Sequence, residues 1–177
     1  MQNCRGASAP LEVARANSRV PGDDVDFDEC TYRKAVGWLL YISNVTRPDL
    51  AFAVGKVSRK CNNTKLPDWR DVQHIFRYLR KTSNLKLRYS KTGKTPSVFC
   101  AASFVSDPND GKSCSGYVLI LGGVAVSWCS RKQSIVALST VEFENVAMNE
   151  VTEVRRSFGP LNFCEIQVNS TMPRDPV

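Results

Sequence analysis

The sequence predicts an α/β protein, with helices first and a sheet after them. Three observations predict it. Through the first half, apolar residues recur at three- and four-residue spacing, the period of a helix with one buried face. From residue 85 the spacing drops to two, the period of a strand. Further on, Gly122-Gly123 stands between two apolar runs, where two residues able to take positive φ close a tight antiparallel hairpin.

Each element follows in order. Residues 1–30 are polar and irregular, end in Asp23, Asp24, Asp26, Asp28 and Glu29, and read as a linker. Tyr32, Ala35, Val36, Leu39 and Leu40 then share a helical face. Pro48 suits a first helical turn, where its missing N–H is not needed, and Leu50, Val54 and Val57 follow on one side. Pro67 opens a third helix with an apolar stripe of Trp69, Val72, Phe76 and Leu79; Arg70, His74, Arg77 and Lys81 form a basic stripe opposite. Leu85, Leu87 and Tyr89 alternate with Lys86, Arg88 and Ser90, which predicts a strand. Lys91-Thr92-Gly93-Lys94 reads as a turn, Val98 to Phe104 as a buried strand, and Asp107-Pro108-Asn109-Asp110-Gly111 as another turn. Ser115 to Leu121 and Val124 to Cys129 are the strands flanking the two glycines. A last helix is expected from Ser139, with Ala147, Val151, Val154 and Phe158 on its buried face and Gly159-Pro160 as its stop. The resulting division is a linker, 1–30; a helical segment, 31–84; a sheet domain, 85–160; and a tail without clear period, 161–177.

Composition narrows the function classes. Hydrophobic residues make up 42% and charged residues 23% of 177, values of a folded chain rather than a disordered one. No run approaches the ~20 apolar residues that a membrane span needs. Met1-Gln2-Asn3-Cys4-Arg5-Gly6 opens onto no apolar segment of the signal-peptide kind, so a cytoplasmic or nuclear protein with no membrane partner is expected. The net charge of +7 either favours a polyanionic partner, nucleic acid being the commonest, or reflects a mildly basic surface. Seven cysteines, at 4, 30, 61, 100, 114, 129 and 164, include no Cys-x-x-Cys, and His74 is the sole histidine. That scatter reads as small core residues in a reducing compartment rather than a metal site or a disulfide framework.

Seven ordered motifs are more specific. Cys4 with Pro10-Leu11 comes first, and Tyr32-Arg33-x-x-Val36-Gly37-x-Leu39-x-Tyr41 follows. Next are Thr46-Arg47-Pro48-Asp49-Leu50, then Trp69 with Arg77-Tyr78-Leu79-Arg80-Lys81-Thr82. Then come Lys112-Ser113-x-Ser115-Gly116-Tyr117, Val126-Ser127-Trp128-x-Ser130-Arg131-Lys132-Gln133-Ser134, and Val136-Ala137-Leu138-Ser139-Thr140 running into Glu142 and Glu144. In this order, over residues 1 to about 158, they resemble the C-terminal part of copia-type retrotransposon Pol polyproteins. The resemblance implies a ribonuclease H-like mixed sheet with helices, preceded by a helical connection segment. It also implies an activity, hydrolysis of RNA in an RNA–DNA hybrid, in which carboxylates hold two Mg²⁺ ions.

Carried over position by position, that activity is not expected here. Ala101 stands where the resemblance places the metal-binding Asp of the first strand, and Ser103 where it places the second Asp of that motif. Glu142 matches the helical Glu and is retained. Ser139-x-x-Glu142 is equally a capping box, the preferred reading once the metal partners are missing, and Glu144 is expected to be solvated. The next acidic ligand belongs to an Asp-Asn strand motif past residue 160; the nearest text is Glu165-Ile166-Gln167-Val168-Asn169, and Asp175 lies too near the end. The expectation is a ribonuclease H-like fold truncated after its first long helix, an inactive remnant with no Mg²⁺, no other metal and no cofactor. A sheet cut there leaves an edge and a helix face uncovered, which predicts self-association.

Two binding expectations complete the reading. The stripe of Arg70, His74, Arg77 and Lys81 either contacts phosphates or is a solvated helix face; with no base-reading motif, any nucleic-acid binding should be weak and sequence-independent. Trp69, Phe76 and Trp128 read as packing groups. Arg77-Tyr78-Leu79-Arg80 also spells the R-x-L-R motif of oomycete secreted effectors, some of which resemble copia Pol fragments of this length. That second resemblance implies an alternative: a secreted protein that acts in host cells on defence, through a host protein partner. Effectors carry the motif in a flexible segment before an acidic run, whereas Lys81-Thr82-Ser83-Asn84 follows here and Leu79 lies on the apolar stripe.

Overall fold

A computed structural model describes residues 6–11, 28–91, 93, 95–103, 111–136, 139–157 and 165–168. The chain divides into two units, Met1–Lys86 and Leu87–Val177. In the first, helix α1 spans Glu29–Val45. Asp28 starts it by accepting the N–H groups of Cys30 (3.0 Å) and Thr31 (3.2 Å), two of the donors that a helix leaves unpaired at its N-terminus. A 3₁₀ turn at Pro48–Leu50 leads into α2, Ala51–Ser58, and α3 follows at Leu66–Lys81. The Asp68 carboxylate caps α3 by accepting the Lys65 N–H at 2.8 Å. Tyr32, Val36 and Leu39 of α1 pack with Leu50, Val54 and Val57, as their spacing predicts, and with Val72, Ile75 and Tyr78 of α3. Tyr32 donates its hydroxyl to the Val57 carbonyl at 2.7 Å. Leu40, expected on the buried face of α1, is exposed.

The basic stripe of α3 is not an open face. His74 is only 6% exposed, and its Nε2 donates to the Ala9 carbonyl at 2.9 Å. Residues 6–11, inside the stretch read as a linker, lie across this side of the helix. Ala7 and Leu11 pack against the same core, and a Cβ on Gly6 would stand 2.8 Å from Cβ of Lys81. The helix is therefore covered on two sides, which a single apolar stripe does not predict.

The second unit is a mixed sheet in the order β3-β2-β1-β4. Strands β1 (Ser97–Ser103), β2 (Cys114–Leu121) and β3 (Val124–Lys132) are successively antiparallel. The β2–β3 hairpin turns on Gly122 (φ 61°) and Gly123 (φ 80°), as the diglycine predicts. Helix α4, Thr140–Ser157, packs on β1 and β2 and turns Phe143, Ala147 and Val151 inward. Val98, Cys100, Leu119 and Val151 form the core, flanked by Tyr117 and Val126. The side chain of Val154, with Phe158, Gly159 and Pro160, lies outside the described residues.

Two expectations are corrected. Residues 85–90 form no strand: Leu85 and Tyr89 are exposed, so the alternation has no buried side to reward, and the Ser90 N–H instead donates to the Gly122 carbonyl at 3.2 Å. The sheet does not stop at its first long helix. Glu165–Val168, inside the stretch read as a tail, forms β4, which pairs parallel to β1 with Val98 opposite Ile166 and Cys100 opposite Val168. Strand β1 therefore has a neighbour on each side. The turn expected at 107–111 lies outside the described residues apart from Gly111, whose φ is 66°.

Candidate functional site

The carried-over positions lie on β1 and in the first turn of α4. Ala101, paired with Gly116, and Ser103, paired with Cys114, are both exposed on β1. Ser139 accepts the Glu142 N–H on its hydroxyl at 3.3 Å, one half of the expected capping box. Glu144, expected to be solvated, is turned toward the sheet. Burial pushes the Cys100 thiol up from its ordinary value, and the Glu144 carboxylate adds to that rise. The phase of α4 explains this: Glu144 precedes the buried Ala147 and Val151 by three and seven residues, on the same face.

These residues do not fit a divalent-metal site. Mg²⁺ takes oxygen ligands, mainly carboxylates; Ala101 offers a methyl group and Ser103 a neutral hydroxyl. Among the described residues no three His, Cys, Asp or Glu side chains gather where they could hold a metal ion.

The other motif residues of this unit hold helix to sheet. Glu150 of α4 accepts the Ser115 hydroxyl at 2.8 Å and pairs with Arg131 at 3.3 Å, so one carboxylate ties the helix to β2 and β3. Gln133 is buried; its Nε2 donates to the Phe143 carbonyl at 3.0 Å, and its N–H donates to the Ser113 carbonyl at 2.9 Å. Gly116 sits where a Cβ would press to 3.3 Å on the Cys129 carbonyl. Burial also pushes the Cys129 thiol up, a setting that keeps it protonated and inert.

In the helical unit two motifs meet in one polar cluster. Arg47, 7% exposed, donates to both carboxylate oxygens of Asp49 (3.0 and 2.7 Å) and to the Thr82 carbonyl and hydroxyl (3.2 and 2.6 Å). The Tyr78 hydroxyl donates to Asp49 at 2.8 Å, and the Arg47 guanidinium lies 5.6 Å from the Tyr78 ring centre. Burial alone would raise the Asp49 carboxyl; the hydrogen bonds from Arg47 and Tyr78 outweigh it and hold the group below the usual carboxylate range. Burial and then the Asp49 hydrogen bond push the Tyr78 phenol up.

The same geometry places the R-x-L-R tetrapeptide in the last turn of a packed helix. Tyr78 is buried, Leu79 packs against the core, Arg77 is half-buried with its Nε enclosed, and Arg80 is exposed. Of the basic stripe, Arg70 is half-buried, His74 buried and Lys81 exposed, so the four are not presented together. Elsewhere, Trp38 and Tyr41 of α1 are 68% and 66% exposed, with Val45 on the same side; α1 is apolar on the face away from its core as well. Among the described residues no helix is long and apolar enough to cross a membrane.

The chain is similar to a Plasmopara viticola protein named secreted RxLR effector protein 161. The two are 38% identical over 123 residues, which make up 69% of this chain and 87% of that protein. It is 40% identical over 119 residues, 67% of its length, to the retrovirus-related Pol polyprotein from transposon TNT 1-94 of Nicotiana tabacum. It is 31% identical over 140 residues, 78% of its length, to the retrovirus-related Pol polyprotein from transposon RE2 of Arabidopsis thaliana. The chain spans 9% of the length of each of these two polyproteins. No family model matches the chain, and no solved structure matches it.

Proposed function

We propose, from the chain's similarity to retrotransposon Pol polyproteins, that it is a Pol-derived remnant that keeps the scaffold of the ribonuclease H region without its chemistry. Nucleic-acid binding, where it persists, is weak and independent of sequence. The observation that carries this reading is Ala101 on β1, where the resemblance requires a carboxylate. Two cations about 4 Å apart need ligand charge to offset their repulsion, and a methyl group supplies none in any rotamer. The test is a labelled RNA–DNA hybrid incubated with Mg²⁺ or Mn²⁺. Wild type should leave it intact, and Ala101→Asp alone should too, because Ser103 still contributes no charge. Metal-dependent cleavage by wild type that disappears in Glu142→Gln would overturn the reading.

The 87% coverage of the Plasmopara viticola protein favours a second reading, a secreted effector that works by protein contact in a host cell. On that reading delivery does not use the R-x-L-R tetrapeptide, because α3 buries Tyr78 and packs Leu79. Arg77→Ala with Arg80→Ala should leave host uptake unchanged. Selective loss of uptake, with circular dichroism unaltered, would contradict this.

A further inference from the structure

We propose that the loop joining α2 to α3 is a phosphate-binding site, built from Arg59, Lys60 and Lys65 with Asn62 and Asn63, through which the chain grips a nucleic-acid backbone. The proposal rests on the nucleic-acid binding proposed above and assigns it a place that the basic stripe of α3 does not supply.

Charge is the first argument. Between Asp49 and Asp68 the chain carries Lys56, Arg59, Lys60 and Lys65 and no acidic residue. Arg59, Lys60, Asn62, Asn63 and Lys65 line one cavity of about 280 Å³, together with Pro67 and Asp68. Like charges gathered around a concavity raise the local concentration of anions. Asp68, the one acid in the lining, already accepts the Lys65 N–H.

Order is the second argument. The loop backbone is fixed from within and from α1. The Asn63 N–H donates to the Lys60 carbonyl at 3.2 Å, and the Thr64 hydroxyl donates to the same oxygen at 2.9 Å. Arg33 Nε donates to the Cys61 carbonyl at 3.2 Å. Among the described residues, by contrast, the side chains of Arg59, Lys60, Asn62, Asn63 and Lys65 have no hydrogen-bond or ion-pair partner. A held backbone that brings three cations and two carboxamides together, with no partner among the described residues, sets out donors suited to an oxyanion. Arginine and lysine donate to the charged oxygens, and the amides can complete the set.

Size and lining identify the ligand class. The cavity falls just under the ~300–1,000 Å³ of drug-sized pockets, enough for a phosphate and part of its sugar. No aromatic ring lines it to stack a base, so the contact is sequence-blind. On α3, by contrast, residues 6–11 already lie against His74 and Lys81.

The test is fluorescence anisotropy of the full chain with duplexes of scrambled sequence across a salt series. It compares wild type, a loop variant (Arg59→Ala, Lys60→Ala, Lys65→Ala) and a stripe variant (Arg70→Ala, Lys81→Ala). Among the described residues these loop side chains have no partners to lose, so melting should not change. The loop variant should weaken binding and flatten the slope of log K against log salt by about 2 to 3, near ~0.9 per lost phosphate contact; the stripe variant should stay close to wild type. Binding that survives in the loop variant and falls in the stripe variant would overturn this site and leave the nucleic-acid reading standing. No duplex binding by wild type would remove the nucleic-acid reading, and a titration with inorganic phosphate then decides the site. Shifts of the Asn62 and Asn63 side-chain amide resonances, absent in the loop variant, would support a phosphate site whose occupant is a free phosphate compound. No shift would overturn it.

Discussion

The helical unit and the sheet unit both place their motif residues in structural contacts, but their described cores differ in size. In the helical unit ten described side chains bury together, and Arg47, Asp49, Tyr78 and Thr82 add a hydrogen-bonded cluster at one end. In the sheet unit the described core is Val98, Cys100, Leu119 and Val151, and much of what holds α4 down is polar: Gln133 on the Phe143 carbonyl, and Glu150 on Ser115 and Arg131. The difference teaches where sequence can drift. Ala101 and Ser103 are exposed, and exchanges at exposed positions cost a fold little. Gln133, Ser115 and Gly116 are held by hydrogen bonds and close packing, so exchanges there should cost the fold more.

The largest effect is expected in the helical unit. Arg47→Ala leaves the Asp49 carboxylate with only the Tyr78 hydroxyl as donor and removes the guanidinium from Thr82, and should cost about 3 kcal/mol, the low end for breaking a buried pair because Asp49 is partly exposed. Arg47→Lys should recover only part, since an ammonium cannot make the two-pronged contact. Urea unfolding followed by an α1 probe measures both; a loss below about 1 kcal/mol would mean that the cluster is ornamental to stability. Gln133→Ala comes next. It removes the donor to the Phe143 carbonyl in a buried setting and should cost the sheet unit about 2 kcal/mol. If it costs as much as Arg47→Ala, the contrast in anchoring between the units fails.

Much of this architecture is legible in the sequence. Tyr32, Val36 and Leu39, then Leu50, Val54 and Val57, are found by period alone because each set faces a single core. The diglycine hairpin is found because positive φ at two successive positions admits few residues. What escapes depends on distant partners. His74 reads as solvated until Ala9, 65 residues away, is laid over it. The four residues of β4 have too little period to announce a strand, and their reason to be one is β1. Leu85 to Tyr89 has the period of a strand but no sheet face to bury. At the candidate site Ala101, where the resemblance implies a carboxylate, is read directly from residue type, whereas which positions of α4 are buried follows only from the phase of the helix on the sheet.

Acid should separate the units further. The Asp49 carboxyl is held below its ordinary value, so its contribution is present above the unfolded-state carboxylate pKa, about 3.9, and is lost as pH falls through the folded value. The midpoint of the helical unit should therefore drop below about pH 4 more steeply in wild type than in Asp49→Asn. Parallel curves would show that the cluster does not report on acid stability. The smallest effect concerns association. Trp38 and Tyr41 leave an apolar face of α1 in water, so the chain should self-associate at high concentration, and Trp38→Glu with Tyr41→Glu should reduce this without lowering the melting midpoint. Light scattering coupled to size exclusion checks it; unchanged association would shift attention to the outer strands of the sheet, β3 and β4.

The contrast between the units is tested most directly by native-state hydrogen exchange, residue by residue, on the intact chain. Amides of α1 and α3 around Val36 and Ile75 should exchange only through the largest opening free energy in the molecule, and those of β1 and β2 around Val98 and Leu119 through a distinctly smaller one. Equal protection in both units, or slower exchange in the sheet, would contradict the account.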